Sequence, residues 1–165
     1  MAETLHHGTW LLIDAAGPVS VIGLIEGNVW RECVQSEGDF LEWLEPTIQE
    51  LLSNSGLALP DLSGVLYGSG PGSTLGLRLA AIFIRILLGI PSLNHWSCFQ
   101  YQNLELAISA LKKNSGGNPA EAVAPWRRDR LHYSKWDAIS ESFKNEAITP
   151  QEAVAANLKG VSLGR

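Results

Sequence analysis

The chain opens on short apolar runs cut by turn residues. "TWLLID", Thr9 to Asp14, predicts a buried strand; "AAGP" turns into a second strand, Val19 to Ile25, and "EGN" turns into a third, Val29 to Val34. The apolar period then lengthens. Leu41, Leu44, Ile48, Leu51 and Leu52 recur at helical spacing, behind Asp39 and Glu42 at capping-box spacing and ahead of Gly56 as a stop. Pro46 lacks a backbone donor, so this helix should kink there or begin its regular part there.

"SGVLYG" is apolar without alternation, which suits a strand covered on both sides. Ser73 or Thr74 can cap a second helix that runs to about Leu88, where Gly89 and Pro91 end it. "PSLNHWS" reads as a short strand leading to Ser97, the cap of a third helix from Cys98 to Lys113. "NSGGNP", Asn114 to Pro119, has the composition of a linker. Beyond it, Glu121 to Trp126 and Leu131 to Trp136 predict a hairpin. Thr149 and Pro150 open a short helix, and "GVSLG", Gly160 to Gly164, would start one more strand. The order β-β-β-α-β-α predicts an α/β fold, with one lobe over residues 1–113 and a partial second one over residues 120–165.

The second helix carries more apolar circumference than one sheet contact can cover. At 100° per residue Arg78 and Arg85 share one edge, and the other large side chains are all apolar. The expected arrangement sets Leu79, Ile82 and Ile86 against the sheet. Phe83, Ile84, Leu87 and Leu88 then spread outward and, with Leu41, Leu44 and Ile48 of the first helix, form a surface for another chain.

Composition narrows the setting. With 45% hydrophobic and 18% charged residues the chain is a folded domain with short tails, and its net charge of -5 offers no overall pull on nucleic acid, so no direct contact with it is expected. The one basic cluster, Trp126 to Arg130, reads as a solvated turn. Cys33 and Cys98 are too few and too far apart for a disulfide framework and read as reduced thiols of a cytoplasmic protein. The start "MAETLHHGTW" lacks a basic leader region, and the most apolar window, Leu75 to Ile90, is short for a membrane span and holds two arginines.

Candidate chemistry gathers at "YGSGPGSTLGLR", Tyr67 to Arg78. The segment lacks the lysine of a phosphate-binding P-loop, and its last glycine falls one place late for a dinucleotide fingerprint. Two readings remain. Gly70, Gly72, Ser73 and Thr74 lead into a helix N-terminus that could hold an anion beside Arg78, with Asp14 positioned for a nucleotide-bound magnesium. Alternatively the glycines only allow backbones to approach closely. Asp14 has no carboxylate neighbour in sequence, and turn-capping suits it better. His6, His7, His95 and His132 lack zinc-site spacing, and Ser69 and Ser73 do not form a nucleophile elbow. The residues therefore predict no catalytic set and no metal site.

The glycine segment, as Gly68, Gly70, Pro71, Gly72, Ser73, Gly76, Leu77 and Arg78, resembles the block after the fourth strand in the TsaB (YeaZ) family. That family is the glycoprotease-like branch of the actin-like ATPase superfamily. "LLIDAAGPVSVIGLIEGN" is similar to its opening strands, with Ala15 and Gly17 departing, and "LEPTIQELLSNSGLALPDLSGVLYG" to its first helix and next strand. Thr74 and Leu75 depart from the aromatic residue often found there, as Trp126, Arg127 and Arg128 do from an Asp-Ala-Arg of the second lobe. The resemblance implies an RNase H-like or actin-like lobe with a truncated second lobe. It also implies a non-catalytic subunit, without cofactor, that pairs through its first two helices with a TsaD-type protein, with a second copy, or with both. The TsaD-type enzyme makes threonylcarbamoyladenosine in tRNA. A nucleotide-binding enzyme using ATP and magnesium at the glycine loop is the alternative, and an inactive peptidase homologue is the third reading.

Overall fold

The computed structural model describes residues 8–27, 29–114, 121–127 and 129–156. The predicted strand at Gly160 to Gly164, most of the linker at Asn114 to Pro119, and His6 and His7 lie outside the described residues.

Strand β1, Thr9–Asp14, is the middle of a five-stranded sheet because it carries apolar side chains on both faces. Trp10, Leu11, Leu12 and Ile13 are all buried. It pairs antiparallel with β2, Ser20–Glu26, which pairs antiparallel with β3, Val29–Ser36. On its other side β1 runs parallel to β4, Gly64–Gly68, and β5, Ser97–Tyr101, completes the order β3-β2-β1-β4-β5. A register shift between Leu24 and Ile25 bulges the β2–β3 pair. The bulge and the exposed Arg31, in an ion pair with Glu26 at 3.6 Å, are features that discourage further pairing at this edge.

Helix α1, Phe40–Ser55, fills the connection from β3 to β4, and helix α2, Thr74–Leu88, that from β4 to β5. The Asp39 carboxylate accepts the Leu41 N–H at 2.9 Å; the Glu42 N–H goes instead to the Asp39 carbonyl, so the predicted capping box reduces to a plain N-cap. Gly56 ends α1 at φ 66°, returning its N–H to the last turn. The helix continues through Pro46. α1 packs on β2 and β3, and α2 on β1 and β4. Between helices and sheet lies one core that includes Leu11, Ile13, Ile22, Leu24, Leu44, Ile48, Leu51, Val65, Ile84 and Leu87.

Backbone contacts divide the chain into two units, Met1–Gly68 with Ser73–Gln100, and Ser69–Gly72 with Tyr101–Arg165. In the second, helix α3, Asn103–Asn114, packs on a three-stranded antiparallel sheet of β6, Glu121–Arg127, β7, Arg130–Asp137, and β8, Ser142–Ile148. Leu104 and Ile108 meet Ala122 and Ala124, and Trp136 and Phe143 flank them edge to face at 5.0 Å. Helix α4, Pro150–Ala155, follows Thr149 in the predicted way: the Thr149 hydroxyl accepts the Glu152 N–H at 3.2 Å, and the Glu152 carboxylate accepts the Thr149 N–H at 2.6 Å.

Three features differ from the sequence reading. The strand after α2 is Ser97–Tyr101, not Pro91 to Ser97, and the third helix begins at Asn103 instead of Cys98. Pro91–Leu93 instead forms one tight helical turn. That same helix groups with the second unit, because its apolar face lies on β6 and β7, whereas glycine composition places the boundary after it. Third, β8 was not anticipated; "SFKNEAI" carries too few apolar residues to announce a strand.

Candidate partner-binding face

The inner face of α2 is set by its smallest residues. A methyl group on Gly76 would lie 2.1 Å from the Ala15 carbonyl oxygen, and one on Gly68 2.8 Å from the Asp14 carboxylate. Gly76 and Ala80, one turn apart, therefore let the helix lie directly on the end of β1, and Ile84 and Leu87 continue the same row into the core. The Ser73 hydroxyl caps the helix, accepting the Gly76 N–H at 3.2 Å, while the Ser73 N–H bonds to the Ala16 carbonyl at 2.7 Å. Asp14 accepts the Ala16 N–H at 2.9 Å, closing the turn after β1. The glycine segment thus has a packing explanation, a corner where helix and strand meet backbone to backbone.

With that row inside, the flank of the helix and its arginine edge face out. Leu75, Ile82 and Ile86 are 67%, 56% and 61% exposed, with Leu79 half-buried beside them, and the exposed Arg78 and Arg85 run along one edge. The spacing 75, 79, 82, 86 gives a straight apolar seam of three turns. On α1 the exposed positions include Leu41 together with Glu42, Glu45 and Glu50, and no basic residue occupies its last turn. The two neighbouring helices thus present an acidic row and a basic row, with an apolar seam on the second.

This reverses the expected orientation of α2. Ile84 and Leu87, expected outside, are in the core, Phe83 and Leu88 pack partly against it, and Ile82 and Ile86, expected inside, are exposed. Leu44 and Ile48 of α1 are also core residues, and Leu41 alone of that predicted set stands exposed. A helix that is apolar nearly all round gives the periodicity no preferred side; the pair of small residues, Gly76 and Ala80, is the signal that decides it.

The residues of the alternative nucleotide reading are divided. Asp14, Ser73, Thr74 and Arg78 lie in the first unit and Gly70 and Gly72 in the second, where Ser69 donates its N–H to the Tyr101 carbonyl and the Gly70 carbonyl accepts from Asn103, both at 2.8 Å. Among the described residues no group of three His, Cys, Asp or Glu side chains is placed to hold a metal ion. Cys33 and Cys98 are free and exposed, and their partial burial raises the pKa of both thiols. Among the described residues no helix is long and apolar enough to cross a membrane.

The sheet order, with two antiparallel pairs, β1–β2 and β2–β3, and a parallel β1–β4 pair, defines the class: an α/β lobe with the actin-like, RNase H-like fold. Within that class the fold is that of YeaZ. YeaZ from Pseudomonas aeruginosa superposes with a TM-score of 0.70 at 17% identity, covering 88% of this chain and 68% of that one. A second solved structure, described as an uncharacterized protein with similarity to peptidase YEAZ from Pseudomonas aeruginosa, superposes at 0.73 with 15% identity, covering 96% and 84%. Residues 35–90 match the family model TsaD, tRNA N6-adenosine threonylcarbamoyltransferase. No curated protein matches the sequence. The fold is thus YeaZ-like, and the match to the TsaD family model lies in the segment containing α1, β4 and α2.

Proposed function

We propose that the chain is a non-catalytic interaction subunit of the TsaB kind, which supports a TsaD-type enzyme in forming threonylcarbamoyladenosine in tRNA by docking through α1 and α2. The observation that carries this reading is the exposed seam of Leu75, Ile82 and Ile86. Covering three such side chains, each a little over half exposed, contributes on the order of 3–5 kcal/mol. That only matches the low end of the association cost of about 4–15 kcal/mol, so contacts from α1 have to join the interface. The acidic row on α1 and the basic row on α2 supply direction, since a partner must bring opposite charge to each.

Co-expression with a TsaD-type protein tests the proposal. The wild-type chain is expected to be retained by the tagged enzyme, and the double substitution Ile82→Glu with Ile86→Glu to abolish retention while the chain stays folded. Equal retention of both would remove α2 from the interface. The competing nucleotide-binding reading predicts a higher melting temperature with millimolar ATP and magnesium; on the present reading the temperature does not move.

A further inference from the structure

We draw no further inference here: the strongest candidate, the cavity of about 370 Å³ on the second unit lined by Glu121, Tyr133, Lys135, Ile148, Glu152 and Ala156, has Glu121 engaged by Tyr133 and Lys135 and Glu152 engaged by Thr149, so nothing in it selects a class of ligand.

Discussion

Helices α1 and α2 are nearly equal in length, lie on the same five-stranded sheet and share one core, yet their outward faces have opposite character. α1 turns Glu42, Glu45, Gln49 and Glu50 to solvent and keeps Phe40, Leu44, Ile48, Leu51 and Leu52 inside. α2 spends part of its inner row on Gly76 and Ala80, and exposes three large apolar side chains, Leu75, Ile82 and Ile86, while burying Ile84 and Leu87. Burial within the lobe accounts for all but one of the large aliphatic side chains of α1. It accounts for only part of α2, and the remainder is what a second chain would cover.

The largest effect separates the two rows of α2. Leu87→Ala empties a fully enclosed site and is expected to lower stability by about 2–5 kcal/mol, whereas Ile86→Ala, one residue away, should change the isolated chain by no more than about 0.5 kcal/mol. Urea midpoints of the two variants measure the difference. Equal midpoints would mean that the rows are assigned wrongly.

Next comes the corner that fixes those rows. Gly76→Val forces side-chain atoms against the Ala15 carbonyl and should destabilise by at least the roughly 1–3 kcal/mol typical of overpacking. A Gly76→Val chain that melts with the wild type would show that the close approach is dispensable.

The helix caps give a smaller and matched pair. Asp39→Ala and Ser73→Ala each remove one side-chain acceptor from a first turn, and each should lose about 1 kcal/mol, within a range of about 0.5–2. Because both caps serve the same core, thermal unfolding of the two variants should agree. A much larger loss at Ser73 would point to a role for that hydroxyl beyond capping.

The smallest effect lies in the second unit and serves as a control. Burial, then the hydrogen bond to the Glu121 carboxylate, pushes the Tyr133 phenol up to about 12. The folded form holds this proton more tightly than the unfolded chain does, so stability falls as pH rises from the ordinary tyrosine value near 10 towards 12. Absorbance titration should show the Tyr133 phenol ionising late, and Tyr133→Phe should remove that step. Substitutions on α2 should leave it in place.

Much of this arrangement is legible in the sequence because local signals and burial agree. The first three strands, both long helices, the Thr149 cap and the β6–β7 hairpin all follow from period, turn residues and caps. The glycine corner was legible as one of two alternatives, and Gly76 against Ala15 provides the packing explanation. What periodicity could not supply was the sense of α2, since Leu79, Ile82, Phe83, Ile84, Ile86 and Leu87 weigh equally on a hydropathy wheel. The third helix misled for a related reason: glycine-rich composition marks a flexible connection, but only long-range contact between Ile108 and β6 shows which unit the preceding helix joins. β8 escaped because an exposed edge strand with Lys144, Asn145 and Glu146 needs no apolar pattern.

Docking through α2 requires another chain to cover its outer row. Sedimentation equilibrium at micromolar concentration, on the chain alone and mixed with a TsaD-type protein, tests it most directly. A mass above the 17.9 kDa of one copy is expected in at least one of the two samples, with reversion to 17.9 kDa for the chain carrying Ile82→Glu and Ile86→Glu. A wild-type chain that sediments as a single copy under both conditions, or a double variant that remains associated, would contradict it.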